Sequence, residues 1–277
     1  MRRAVLVGAV VALLAGACPP ALAADDPGFG PLTAPIRPGT RLVTGGSACT
    51  ANFVFTDDAG RFYLGQAAHC AEDPADESAP SADTCDYGRQ LPLGTSVALG
   101  DTGSSGRLAY SSWIAMADHG ESDLETCRWN DFALVRLPRD VISRVNPTVP
   151  VFGGPTGLNT EGLRAGDLLT GWGNSPIWQD VDGLHPKRSL AVESDPSGRA
   201  HWVYSLYPGV PGDSGGPYLD AQGRAVGSLS ELSIEPPGAN ILTDIARALA
   251  YAEKVGGFAG LRVVPGTGAF VGPLPNP

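Results

Sequence analysis

The run Gly212-Asp213-Ser214-Gly215-Gly216-Pro217 is the stretch whose residue types and spacing could do chemistry. A serine stands between glycines, an acid precedes it, and Pro211 lies just ahead. Glycine permits sharp turns and close backbone approaches that other side chains forbid. A turn here would expose the Ser214 hydroxyl while the N–H groups of Gly212 and Ser214 converge on one point. Those are two parts of an acyl-transfer site, a nucleophile and a hole for an oxyanion. A serine hydroxyl alone is inert at neutral pH, so a base and a group to orient it are required.

His69 ends a strand-like segment and is flanked by Ala68 and Cys70. Imidazole is the side chain whose ordinary pKa suits taking a proton from serine near neutral pH. Taken alone, such a histidine is more often structural. Asp131 opens the apolar segment Phe132-Ala133-Leu134-Val135. An acid entering so apolar a strand is drawn toward the interior, where a carboxylate needs a partner, and a histidine N–H would serve. An aspartate capping a turn is the simpler account of that residue by itself.

The elements that must position these groups read as short strands. Among 277 residues, 37 are glycine and 25 proline, helix-favouring charges are sparse, and no long heptad occurs. That composition points to an all-β, loop-rich chain with ample apolar material for a core. Segments 52–55 and 61–65 form a hairpin pattern around the turn at 57–60, and the return runs directly into His69. Further strand patterns lie at 96–99, 106–110 and 132–137, the last closed by Pro138. Residues 149–152 lead out of a first unit. A second series follows at 167–172, 189–194, 200–206, 217–220, 225–229 and 240–243. The spacing of Ile245, Ala248, Leu249, Ala252 and Val255 predicts one amphipathic helix, with Thr243 as N-cap and Gly256-Gly257 as its stop.

The N-terminus carries Arg2 and Arg3, an apolar run from Ala4 to Ala17, and Ala21-Leu22-Ala23 before a cut at Ala24. This is the pattern of a signal peptide, and the apolar run is short for a bilayer span. The expected location is therefore secreted and extracellular, with no stable membrane association after cleavage. Cys18 leaves with the leader, and the four remaining cysteines, Cys49, Cys70, Cys85 and Cys127, read as disulfides with three possible connectivities. The formal net charge of −10 becomes more negative when the two leader arginines go. Such acidity argues against nucleic-acid binding.

In order along the chain, His69, Asp131 and Ser214 sit in contexts that resemble the chymotrypsin/trypsin family of serine peptidases, closer in character to secreted bacterial members. The family's Thr/Ala-Ala-His-Cys is matched by Ala67-Ala68-His69-Cys70, its Asp followed by aliphatics by Asp131 to Leu137, and its Gly-Asp-Ser-Gly-Gly-Pro without a gap. Gly171-Trp172-Gly173 looks like the Gly-Trp-Gly strand beside the oxyanion loop. The resemblance covers roughly residues 42–255.

It implies two antiparallel six-stranded β-barrels with a C-terminal α-helix and the site in the cleft between them. The corresponding division is 1–23 signal peptide, 24–41 extended lead-in or short propeptide, 42–155 first barrel, 156–264 second barrel and helix, and 265–277 a loose tail. It implies Ser214 as nucleophile, His69 as general base and then acid, and Asp131 as the group that holds the imidazole. Gly212 and Ser214 would supply the oxyanion hole, and no cofactor or metal is needed. It also implies the disulfides Cys49–Cys70, tethering the histidine loop, and Cys85–Cys127, closing the segment between histidine and aspartate. The partners implied are protein or peptide substrates, acted on by a monomer.

Several positions depart from the animal enzymes. Where trypsin-like members carry the acid that binds Lys or Arg, this chain has Pro208, beside Tyr207, so a small or uncharged residue before the scissile bond is expected. Ser228-Leu229-Ser230 resembles the pocket-wall Ser-Trp-Gly, with Ser230 narrowing the entrance and Asn240 at the back wall. Arg41 to Gly46 faintly resembles an activation site. In bacterial members the acid before the serine pairs with an internal arginine, which suggests Arg164 for Asp213. His119, His185 and His201 have no metal-ligand spacing and read as surface or packing residues. Asp73, Asp76 and Glu77 could bind calcium but suit a solvated acidic loop better.

A catalytically silent binding protein on the same fold, or an esterase with the same triad, are the rival functions. The serine context is not the Gly-x-Ser-x-Gly elbow of α/β-hydrolases.

Overall fold

The computed structural model describes residues 27–76, 84–178 and 181–272. The expected signal peptide at 1–23, half of the acidic loop at 71–84 and the last five tail residues lie outside them.

The first half contains β1 (Arg41–Thr44), β2 (Ser47–Thr50), β3 (Val54–Thr56), β4 (Phe62–Gln66), β5 (Ser96–Leu99), β6 (Ser105–Ser111) and β7 (Ala133–Arg136). The helices α1 (Ser112–His119) and α2 (Leu124–Trp129) lie between β6 and β7. The second half contains β8 (Leu168–Trp172), β9 (Pro186–Ser194), β10 (Ala200–Ser205), β11 (Pro217–Leu219), β12 (Ala225–Leu232) and β13 (Asn240–Asp244). The helix α3 (Ile245–Gly256) and a short β14 (Arg262–Val263) complete it.

The second half is a closed six-stranded barrel in the order β10-β13-β12-β11-β8-β9. Its interior is lined by Leu163, Leu169, Ala191, Val203, Tyr218, Val226, Leu229 and Leu242. The first half has two more strand segments than the six expected. It is an eight-stranded sheet, β14-β3-β4-β7-β6-β5-β1-β2, antiparallel throughout. Its near-ends β2 and β3 are consecutive in the chain, separated only by residues 51–53, and there the Asn52 N–H donates to the Gly65 carbonyl and the Gly65 N–H to the Phe53 carbonyl. Counted as one bent strand, β2 and β3 complete six strands, and β14 adds an extra edge. Ile36, Leu42, Val54, Leu64, Val97, Leu99, Leu108 and Val135 fill the space inside.

Local chemistry explains the elements. Gly45 and Gly46, at φ of 58° and 98°, make the two-residue turn joining β1 to β2, where Thr44 faces Ser47. Both central residues need positive φ in such a turn, which glycine adopts freely. In α3 the apolar stripe packs Ile245, Ala248, Leu249 and Ala252 against Phe53, Tyr110, Phe132 and Leu134 of the first half. Each large side chain so buried contributes about 1.5–3 kcal/mol. The helix begins one residue later than expected. Asp244 is the N-cap, its carboxylate accepting the Arg247 N–H at 2.7 Å, whereas Thr243 remains in β13 with its hydroxyl on the Trp129 carbonyl.

Residues 149–152, leading out of the first half, make a turn at 150–152, with Val151 at φ 66°. Other expectations are corrected. The helices α1 and α2 were not expected, being only eight and six residues long. Leu42 is fully buried, with Cys49 on one side and Leu99 on the other, so the segment resembling an activation site is a strand paired on both sides. Residues 266–271, expected to be loose, bond along 152–155 through Gly154 to Gly268, Gly266 to Pro155 and Val271 to Phe152. The lead-in is likewise held, Gly30 and Ile36 pairing with the 144–146 backbone. No helix among the described residues is long and apolar enough to cross a membrane.

Candidate active site

His69 lies in a single 3-10 turn, Ala68–Ala71, directly after β4. The disulfide Cys49–Cys70 fastens that turn to β2, and Cys85–Cys127 closes the segment carrying α1 and α2. Asp131 sits two residues ahead of β7, the strand paired with β4, so strand pairing brings its carboxylate to the histidine. Asp131 Oδ2 lies 2.7 Å from His69 Nδ1, and Oδ1 accepts the backbone N–H of His69 at 3.0 Å. Ser230, on β12 of the other half, donates its hydroxyl to Oδ2 at 2.6 Å. The Asp131 side chain is 4% exposed and that of His69 29%.

The electrostatics follow from this arrangement. Burial opposes charge on both groups, pushing Asp131 up and His69 down. Their mutual attraction outweighs it, so Asp131 is held below the ordinary carboxylate value and His69 above the ordinary histidine value. Glu72 and Glu231 add to the upward push on the imidazole. Trp113, at the start of α1, lies 6.4 Å from the imidazole centroid and stacks on Tyr87.

Ser214 is carried on the loop between β10 and β11. Its carbonyl accepts the Thr50 N–H at 2.8 Å, next to the disulfide of the histidine turn. Gly215 presses so closely on the chain before His69 that a Cβ there would stand 2.9 Å from Ala67 N. The loop is thus packed against the residues that lead into His69. The Ser214 hydroxyl itself makes no hydrogen bond among the described residues, so the structure joins His69 to Asp131 directly and Ser214 only through the backbone.

No family model and no curated protein matches the sequence. Solved structures do. Protease A of Thermobifida fusca superposes with a TM-score of 0.53 at 18% identity, covering 83% of this chain and 99% of that one. Cellulomonas bogoriensis chymotrypsin gives 0.50 at 17%, covering 83% and 98%. A glutamic acid specific serine protease, described as using a histidine triad in substrate binding, gives 0.50 at 18%, covering 83% and 100%.

The fold is chymotrypsin-like.

Within this chymotrypsin-like framework the groove residues differ from expectation. Ser228 is fully buried, donating to the Gly215 carbonyl and accepting from Asn52 at 3.2 Å each. Leu229 is 3% exposed and belongs to the barrel core. Ser230 faces Asp131 and does not narrow an entrance, so residues 228–230 do not form a wall together; Glu231 and Leu232 are the exposed residues of that strand. Tyr207 is half-exposed and Pro208 half-buried at the rim. Behind them Asn240 accepts the Gly209 N–H at 2.7 Å and donates to the Gly209 carbonyl at 3.2 Å. A Cβ at Gly209 would stand 2.5 Å from Leu229 Cδ2.

The partner of Asp213 is Lys187 and not Arg164. Lys187 Nζ is 3.0 Å from Asp213 Oδ2, and Asp213 also accepts from the N–H groups of Ser175 and Val210. The alternation of β9 turns Lys187, Ser189 and Ala191 inward, a signal readable in the sequence but hidden by the adjacent Arg188. Thr50, Asn174 and Ser175 were also missed, because a hydroxyl or amide beside a loop has no motif of its own. Of the other histidines, His185 stacks on Trp172 and His201 is buried between Ser194 and Asp244. His119 is exposed. The sulfurs of Cys49 and Cys70 approach His69 closely enough for a metal cluster, but their disulfide leaves no thiolate to bind one.

Proposed function

We propose that the chain is a serine endopeptidase that cleaves peptide bonds through an acyl-enzyme intermediate, with His69, Asp131 and Ser214 as its triad. The observation that carries this reading is the buried Asp131 carboxylate bonded to His69 Nδ1, which fixes Nε2 as the proton acceptor. The Ser214 loop lies against the residues that lead into His69, through the Thr50 N–H and the close approach of Gly215 to Ala67, which supports Ser214 as the nucleophile.

His69 removes the proton from Ser214 Oγ as the oxygen attacks the substrate carbonyl carbon. The N–H groups of Gly212 and Ser214 donate to the resulting oxyanion. The tetrahedral species collapses, the C–N bond breaks, and imidazolium returns its proton to the departing amine. Water, deprotonated by the same imidazole, then attacks the acyl ester, and the proton passes back to Ser214 Oγ. Asp131 keeps the tautomer and steadies the imidazolium. These steps use only side chains and backbone of this chain and water.

We assign the specificity site to the rim at Tyr207 and Pro208 with Gly209, Asn240 and Leu229 behind. Nothing acidic stands at Pro208, and Asn240 and Leu229 crowd Gly209, which favours a small or uncharged residue before the scissile bond. The division at about residue 155, export by the leader at 1–23, and action as a monomer on extracellular proteins belong to the same proposal.

The test is turnover of casein and of a peptide library by the purified protein. The proposal expects cleavage that disappears in Ser214→Ala, with small or uncharged residues before the cut. Ester hydrolysis without peptide cleavage would make the protein an esterase, and strict cleavage after Lys or Arg would overturn the specificity.

A further inference from the structure

The peptide unit that ends at Gly212 N–H is held by a hydroxyl from outside its own loop. Ser175 Oγ donates to the Pro211 carbonyl at 2.6 Å and accepts the Ile177 N–H at 3.1 Å. Its single proton therefore has one direction. Ser175 is fully buried, and its backbone N–H donates to Asp213 Oδ1 at 2.8 Å. Thr50 Oγ1, from the first half, holds the next carbonyl along, that of Gly212, at 2.8 Å.

A trans peptide unit is planar, and its C=O and N–H point in opposite directions. The Pro211–Gly212 bond is not among the cis bonds. Drawing the Pro211 carbonyl toward Ser175 therefore turns the Gly212 N–H the other way. Around it, the N–H groups of Asp213, Gly215 and Gly216 donate to Val210, Leu229 and Asp213 carbonyls. Those of Gly212 and Ser214 have no acceptor among the described residues.

Left to itself, this unit could turn over. Gly212 sits at φ 97°, and a residue without Cβ visits both signs of φ at little steric cost. The turned form would put a carbonyl oxygen where the N–H now points, repelling an oxyanion. No other side chain is bonded to the Pro211 carbonyl among the described residues.

We propose that Ser175 is a positioning residue, whose hydroxyl keeps the Pro211–Gly212 peptide turned so that the Gly212 N–H faces the reacting oxyanion. This rests on the acyl-transfer reading of Ser214. It adds a device that the Gly-Asp-Ser motif does not contain.

The experiment pairs steady-state kinetics on an activated ester with crystal structures of the wild type, Ser175→Ala and Ser175→Cys. Loss of one oxyanion donor costs about 10²–10³ in kcat, so Ser175→Ala should lose up to about that much, with KM changed by about twofold or less. The cysteine, a weak donor of similar shape, should fall between, and a thermal melt identifies any variant that does not fold. The Ser175→Ala crystal should show the Pro211 carbonyl rotated from its wild-type direction. Wild-type kcat in Ser175→Ala, or an unmoved carbonyl, would overturn the proposal. If the wild type neither hydrolyses the ester nor reacts with a fluorophosphonate, the acyl-transfer reading fails on its own. The carbonyl direction in the variant crystal then still decides whether Ser175 holds the peptide.

Discussion

Lys187 Nζ and Asp213 Oδ2 lie 3.0 Å apart with 1% of either side chain exposed. The pair ties strand β9 to the residue immediately before Ser214, inside the protein. It needs no chain terminus to supply the cation. Lys187 also donates to the Leu184 carbonyl at 2.9 Å, so its ammonium is fixed as well as neutralised. Removing one partner of a buried pair strands the other charge, at a cost of about 3–5 kcal/mol. Lys187→Met should therefore destabilise by about that much and depress turnover, and Lys187→Met/Asp213→Asn should recover part of the stability. Urea unfolding measures both, and a single variant as stable and active as the wild type would contradict the pair's role.

Thr50 links the halves through three bonds. Its N–H donates to the Ser214 carbonyl, its hydroxyl to the Gly212 carbonyl, and that hydroxyl accepts from Asn174 N–H at 3.0 Å. Thr50→Val keeps the shape and deletes the hydroxyl, leaving two half-buried polar groups, the Gly212 carbonyl and the Asn174 N–H, without that partner. Each such group costs about 1–3 kcal/mol. The variant should unfold at lower urea concentration and turn over more slowly, as circular dichroism and ester kinetics would report.

Ser230 supplies Asp131 with a hydrogen bond from the opposite half. Hydrogen bonds to charged groups are worth about 1.5–3 kcal/mol. If half of that acts on the transition state, Ser230→Ala lowers kcat/KM by about 4- to 12-fold, since about 1.36 kcal/mol is one decade. KM should change little. Unaltered kcat/KM would show that Asp131 is held well enough by His69 alone.

The pH profile follows from the same charges. The proposed mechanism needs neutral His69, whose folded pKa lies above the ordinary histidine value of about 6.5. Activity should fall as pH drops through that raised value, so the acid limb of kcat/KM lies above about 6.5. Glu72 and Glu231 contribute to the rise, so Glu72→Gln should move the limb to lower pH. The contribution to stability runs differently. A raised histidine stabilises fully below its unfolded value and loses that contribution as pH rises through its folded value. The depressed Asp131 stabilises above the ordinary carboxylate value and loses it as pH falls through its own lower value. A limb in Glu72→Gln that stays put or moves upward would contradict this electrostatic account.

Much of the site was legible because its chemistry lies in contiguous words. The segments around His69, Asp131 and Ser214 each carry a local pattern, and strand alternation placed most of the elements that hold them. The C-terminal helix showed its stripe, but its cap was read one residue early, since threonine and aspartate both cap well and only the fold decides. The groove was misread at Ser228 to Ser230. Strand alternation alone cannot say which serine faces Asp131, and β12 carries a register shift between Leu229 and Glu231. Lys187, Thr50 and Ser175 were out of reach for another reason. They meet Asp213, Gly212 and Pro211 across 26, 162 and 36 residues of chain, where spacing carries no information.

The most direct test of the triad is labelling with a fluorophosphonate followed by peptide mapping, in the wild type and in His69→Ala. One label per molecule, on Ser214, and its loss or severe slowing in His69→Ala is the result expected. A folded wild type that takes up no label, or takes it on another residue, would contradict the account.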